Sequence, residues 1–301
     1  MTSRIKNSSL FVLLLFTISC SKQEVKEGQI ESKKERIEIV CDPSWELILR
    51  TFISTYEGLN PTREVELSIK PESECIEDVL NGKNVTAFVS RELNTAERNF
   101  VTSQKWNVYI DTICYDGITW IVPKSFPEDS LSLSQVKELF LTGMLKGKSY
   151  SIQLNDIGSS IANYLIKDFG KPTSIKHIYK GGSDAEIIAS VQTHNSSIGC
   201  ISSSTLVNLE NKKNRANLES IKILKISSTK NEPAFSSFQN DLALGRYPFI
   251  RVLRVINHDA QTGLGTAFVS FMKHNRGQRL ILKEGLLPFR MPGREVEMKN
   301  Q

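Results

Sequence analysis

From residue 37 onward the chain reads as an α/β fold built in two lobes, and three observations predict it. Short runs rich in β-branched residues alternate with apolar-periodic segments of helical length, the pattern of a mostly parallel sheet with helices on both faces. The composition is that of an ordinary globular protein, with 40% hydrophobic and 24% charged residues. A length of 301 residues stands at the limit of what one hydrophobic core organises, so the core is expected to divide.

The N-terminus comes first. Arg4 and Lys6 precede an apolar run over residues 10–16 that continues into Thr17-Ile18-Ser19-Cys20. A run of about ten residues cannot cross a hydrocarbon core that needs roughly 20 in a helix, so it reads as a secretory signal. Ser19-Cys20 looks like a lipobox: residues 1–19 are expected to be removed and Cys20 to carry lipid, with ordinary cleavage before an unmodified Cys20 as the alternative. Residues 20–36 are Lys-, Glu-, Gln- and Ser-rich without apolar periodicity and read as a solvated tether. Two acyl chains anchor such a chain stably, at about 0.8 kcal/mol per buried methylene.

Residues 37–41 (IEIVC) form the first predicted strand. Asp42 then caps a helix whose first turn holds Pro43 and whose apolar face carries Leu47, Ile48, Phe52 and Ile53. Residues 65–69 are the next strand, 76–80 a short helix ended by Asn81-Gly82, and 86–89 a third strand. Asn94-Thr95-Ala96-Glu97 opens a helix with a capping pattern. Of the five cysteines, Cys41, Cys75, Cys114 and Cys200 remain once Cys20 is set aside. An exported setting permits disulfides, four cysteines allow three pairings, and buried free thiols are an equal alternative.

Further along come Tyr115-Asp116-Gly117-Ile118-Thr119-Trp120-Ile121-Val122-Pro123, residues 133–143 ending in Gly143, and residues 182–191 followed by 198–202. The last quarter holds Tyr247-Pro248-Phe249-Ile250-Arg251-Val252-Leu253-Arg254-Val255-Ile256, residues 268–273, and Gly277-Gln278 running to Gly285-Leu286-Leu287-Pro288-Phe289. In this order, over roughly residues 38 to 290, the pieces resemble the PstS-type phosphate-binding proteins of ABC importers. The resemblance makes 115–123 a strand leaving the first lobe, 133–143 the helix after it, 182–191 and 198–202 a helix and strand of the second lobe, and the last quarter a strand that recrosses the hinge followed by two helices. The resemblance implies a type II periplasmic-binding-protein fold: lobe I from residues 37–118 and 247–301, lobe II from 119–246, and two crossing strands as hinge.

Ligands of open α/β sheets sit beyond the carboxyl ends of strands, near helix N-termini, where free N–H groups and the helix dipole favour an oxyanion. Three loops fit that description. Asp42-Pro43-Ser44-Trp45 offers Ser44 as donor and Asp42 as acceptor, against a purely structural cap anchored by Trp45. Ser90-Arg91 follows the third strand, where the resembled family often has Ser-Asp. Arg91 can fork two bonds to an oxyanion, or pair with Glu92 or Glu97. Asn155-Asp156-Ile157-Gly158-Ser159-Ser160-Ile161 precedes a helix at 162–169 and stands where the family pattern reads Arg, then Ser-Gly-Thr. Here Ser159 keeps the first serine, Ser160 replaces Gly, and Asn155 replaces the arginine.

Other chemistries find no support. His177, His194, His258 and His274 are scattered without metal spacing. Gly263-Leu264-Gly265 is too short for a nucleotide loop, and no hydrolase motif is present. Ser202-Ser203-Ser204-Thr205 reads as loop and Lys212-Lys213-Asn214-Arg215 as a basic turn. The net charge of +5 suits an anionic ligand or membrane surface and is too small to indicate nucleic acid. The resemblance therefore implies a monomeric, lipid-anchored envelope protein, not an enzyme and without cofactor. It would close over an oxyanion, phosphate foremost, and serve an ABC permease. The alternative is a sensor or interaction lipoprotein on the same fold.

Overall fold

The computed structural model describes residues 34–207 and 212–293. The expected signal segment, Cys20 and the expected tether up to residue 33 lie outside the described residues. Glu35 and Arg36, expected in the tether, belong instead to the first strand, where they pair with Arg63 and Glu64. Among the described residues no helix is long and apolar enough to cross a membrane.

The first half runs β1 (Glu35–Cys41), a 3-10 turn (Pro43–Trp45), α1 (Glu46–Leu59), β2 (Arg63–Ile69), α2 (Glu72–Leu80), β3 (Thr86–Val89), α3 (Thr95–Ser103) and β4 (Tyr109–Pro123). Next come β5 (Ser130–Ser132), α4 (Leu133–Thr142), β6 (Met144–Leu145), β7 (Lys148–Ser149), β8 (Ser151–Leu154), α5 (Ser160–Phe169), β9 (Ile178–Lys180), α6 (Asp184–Thr193) and β10 (Ser197–Ser202). The chain ends with α7 (Ser204–Val207), α8 (Lys212–Ser220), β11 (Ile221–Ile223), β12 (Lys225–Ser227), α9 (Gln239–Ala243), β13 (Ile250–Asn257), α10 (Leu264–Lys273), α11 (Asn275–Lys283) and β14 (Leu287–Pro288).

Local chemistry explains the boundaries. Asn94 and Glu97 close a reciprocal capping box on α3, and Ser132 with Gln135 does the same on α4. Gly143 ends α4 at φ 70°, a left-handed position that costs glycine nothing sterically. Helix α2 starts at Glu72, a turn earlier than its apolar face predicts, because Pro71 and two acidic first-turn residues suit a helix start. Two expectations are overturned downstream. Ser202 closes β10 while Ser204 and Thr205 open α7, and all four residues of that stretch are buried rather than looped over the surface. Lys212 and Arg215 lie in α8, so the basic stretch is helical and not a turn.

The main sheet has the order β2-β1-β3-β13-β4-β10-β8-β9. Strands β2, β1 and β3 are parallel, as are β10, β8 and β9. Between these groups, β13 and β4 run antiparallel and join them. β4 serves both sides: residues 109–117 pair with β13, and 118–121 with β10. The core divides accordingly. One cluster includes Trp45, Phe52, Phe88, Cys114, Leu253 and Phe268; another includes Ile118, Trp120, Phe140, Leu165, Tyr247 and Phe249. Tyr247 and Phe249 thus pack with the second group, although the division at 247 drawn from sequence assigned them to the first. Cys41, Cys75, Cys114 and Cys200 are free and buried, which decides for thiols over bridges.

Candidate functional site

The site is built where β13 and β4 join the two cores. Their register places Arg251 directly opposite Asp116. Along β13, Arg251 shares its face with the buried Leu253 and Val255, so strand periodicity sends its guanidinium inward. Both side chains are fully buried, and one terminal nitrogen of Arg251 donates to Asp116. The other terminal nitrogen donates to Ser44 Oγ and Ser160 Oγ, each at 2.7 Å. The guanidinium carbon lies 4.5 Å from the centroid of the Trp45 ring, within cation–π range. Arg251 Nε is buried without a partner among the described residues.

Asp42 supplies the opposing charge. Standing at the end of β1 in extended conformation, it accepts from Ser44 N at 3.1 Å and Ser44 Oγ at 2.5 Å. Across the divide it accepts from Ser160 N at 2.8 Å and Ser160 Oγ at 2.7 Å. Each hydroxyl therefore donates to Asp42 while accepting from Arg251, and the two oxygens lie 3.0 Å apart. Ser160 N is a first-turn amide of α5, a position where the helix dipole favours a negative charge. Helix α5 begins at Ser160 and not at Ala162, because Ser159 is its cap and its hydroxyl accepts from Ala162 N.

Two further carboxylates sit beneath. Asp116 accepts from Ser202 Oγ at 2.8 Å, Ser203 N at 3.0 Å and Ser203 Oγ. Asp184 accepts from Thr205 Oγ1 and, at 2.6 Å, from Asn155 Nδ2. Burial pushes the Asp184 carboxyl up to about 6, against the bonds from Asn155 and Thr205 and the charge of Arg251, with Asp116 adding to the rise. Asn155 also donates to Gly182 O at 3.1 Å, and its Oδ1 is buried without a partner among the described residues.

The Ser90-Arg91 loop has its own internal anion. Glu72, almost wholly buried, accepts from Ser90 N at 2.7 Å, Arg91 N at 3.1 Å and Asn163 Nδ2 of α5 at 2.9 Å. Ser90 Oγ accepts from Trp45 Nε1 at 2.9 Å. Arg91 forks onto Glu97 at 2.7 and 2.8 Å and onto Glu92 O at 3.0 Å. Arg91, expected as the oxyanion cation, lines the cavity with its fork on Glu97, which its capping role has already turned toward this loop.

Of the residues expected in the site, Ser44 and Ser160 accept from Arg251, and Asp42 accepts from both serines. Ser90 lies behind Trp45, Ser159 is spent on its helix, and Asn155 belongs with Asp184. Arg251, Asp116 and Glu72 were missed. The available signal was an arginine in phase with Leu253 and Val255, in a strand whose other arginine, Arg254, is out of phase with them. Beside the cluster opens a cavity of about 640 Å³, whose lining includes Ser90, Arg91 and Arg254 from one side and Ser160, Tyr164 and Lys167 from the other. Among the described residues no group of three His, Cys, Asp or Glu side chains is arranged to hold a metal.

No curated protein sequence matches this chain. Solved structures match its fold. A candidate phosphate ABC transporter substrate-binding protein with bound phosphate, from Clostridium perfringens, superposes with a TM-score of 0.70 at 18% identity, over 85% of this chain and 100% of that one. An ABC-type phosphate transport receptor from Vibrio cholerae gives 0.61 at 16% identity, over 84% and 100%. The CcmR regulatory domain of Synechocystis PCC6803, in complex with 2-PG, gives 0.52 at 12% identity, over 79% and 95%. The architecture is thus the two-lobed periplasmic-binding-protein fold. The model of the PBP superfamily domain matches residues 28–276, and with that span covered the chain belongs to the PBP superfamily.

Proposed function

We propose that the chain is an extracytoplasmic solute-binding lipoprotein that captures a protonated oxyanion, hydrogen phosphate foremost, between its lobes and delivers it to an ABC permease. No chemistry occurs in this reading. The observation that carries it is the convergence of Ser44, Ser160 and Arg251 as donors, with Asp42 as acceptor, from three separate segments of the chain. Separating Asp42 and Ser160 admits the ion, and the two serines with Arg251 then bind its oxygens. Asp42 accepts the proton of hydrogen phosphate. Sulfate carries no proton at neutral pH and would face Asp42 acceptor to acceptor, which is costly in a buried site. The fold shared with phosphate-binding structures and the lipobox before the tether support the same reading.

Thermal unfolding with phosphate, sulfate and molybdate tests it. At a hundredfold excess over the dissociation constant a ligand adds about 2.7 kcal/mol, a shift of roughly 5 °C or more. The expected outcome is a shift with phosphate and none with sulfate. A second reading, a sensor or interaction lipoprotein, is favoured by Asp42 and Glu72 already taking the donors of their loops. Absence of a shift with every oxyanion decides for it.

A further inference from the structure

We infer that the ligand is a small phosphate monoester whose organic part carries a second acid group. This rests on the oxyanion-receptor reading and extends it into the adjoining cleft. The first argument is size. A tetrahedral oxyanion fills the space of two or three water-sized groups at roughly 30 Å³ each. The cavity beside Arg251 measures about 640 Å³, within the roughly 300–1,000 Å³ of sites that hold organic ligands.

The second argument is how the lining changes with depth. The floor is Ser160 and Arg251, both buried and both members of the donor cluster. One wall is the ring of Tyr164, whose hydroxyl donates to Pro248 O at 3.3 Å, together with the side chain of Ile250. These surfaces accept carbon better than a hydrated ion does. The more exposed part of the lining carries Arg91, Arg254, Lys167 and Glu92; with Arg91 paired to Glu97 and Glu92 to Arg98, two cations remain to face a ligand. Arg254 gives one nitrogen to Ser90 O and leaves the other 3.9 Å from Glu92. Lys167 is exposed and has no hydrogen-bond or ion-pair partner among the described residues. A phosphoryl head on the floor in its singly protonated form, its one proton donated to Asp42, a short carbon segment along Tyr164 and Ile250, and a carboxylate at Lys167 and Arg254 match that order. The second ionisation of a phosphate monoester, at about 6, keeps that form accessible.

Calorimetric titration of the purified protein with inorganic phosphate, glycerol 3-phosphate and 3-phosphoglycerate tests this, repeated on Lys167→Ala. The variant removes an exposed side chain in the last turn of α5 and leaves the floor intact. The expected result is 3-phosphoglycerate binding at least about tenfold tighter than either other probe, with Lys167→Ala removing about tenfold from that ligand alone. Equal or weaker binding of 3-phosphoglycerate relative to inorganic phosphate overturns the inference and leaves the oxyanion receptor standing. Glycerol 3-phosphate matching 3-phosphoglycerate overturns the second acid group. If no probe binds, the receptor reading falls together with the inference.

Discussion

Arg251 and Asp116 form a fully buried ion pair directly across β13 and β4, the two strands that join the cores. Asp116 has further donors in Ser202 and Ser203, and Arg251 has further acceptors in Ser44 and Ser160. The pair is thus the centre of a network in which every neighbour is also spoken for. Removing one member strands the other without water, whereas replacing both by apolar groups of similar shape does not.

Arg251→Met is expected to destabilise the protein by about 3–5 kcal/mol, and Arg251→Met with Asp116→Leu to recover much of that loss. Urea unfolding curves of the single and double variants measure it. A double variant no more stable than the single one contradicts the account.

Arg91→Ala is expected to leave phosphate affinity within about threefold of the parent and to cost about 1 kcal/mol or less, since it deletes a partly exposed pair with Glu97. Ser160→Ala removes a hydroxyl from the cluster itself and is expected to weaken phosphate about tenfold or more. Titrations of the two variants side by side distinguish which loop holds the anion.

Asp42→Asn keeps one acceptor oxygen and removes the charge. Discrimination between phosphate and sulfate is expected to fall by about tenfold or more, because the amide can donate to an unprotonated oxyanion. Competition between the two ions, followed by unfolding temperature, reads this directly.

Asp184 gives a pH signature. Its carboxyl is raised to about 6 in the folded protein from an ordinary value of 3.8, mainly by burial. The folded state therefore binds the proton more tightly than the unfolded chain does. That contribution is fully present below the unfolded value and is lost as pH rises toward and through about 6. The loss is on the order of 3 kcal/mol. Asp184→Asn is expected to flatten stability over pH 4–6.5, the window those two values bracket. An unchanged slope in this window, measured by denaturant titration at each pH, removes Asp184 as its cause.

What sequence made legible was whatever depends on near neighbours. The capping box of Asn94 and Glu97, the left-handed Gly143 and the third strand at Thr86–Val89 all follow from residues within a turn or two. Asp42, Ser44 and Ser160 were legible for the same reason, because a short polar side chain at a helix start has few other uses. Arg251 was not, since its partner Asp116 is 135 residues earlier and the two meet only through strand register. Arg91 shows the complementary ambiguity. A fork that fits an oxyanion fits Glu97 equally, and six residues of separation gave the carboxylate the advantage of proximity.

The bridge from Asp42 to Ser160 makes affinity an adjustable quantity. A carboxylate covalently held beside the donors competes with any incoming anion at an effective concentration in the millimolar range or above. The apparent dissociation constant is then the intrinsic one divided by the fraction of molecules in which that bridge is broken. On the proposed reading, a substitution at Pro43 that loosens the turn between β1 and α1 retunes the solute level at which the protein fills, while Asp42, Ser44, Ser160 and Arg251 all keep their side chains.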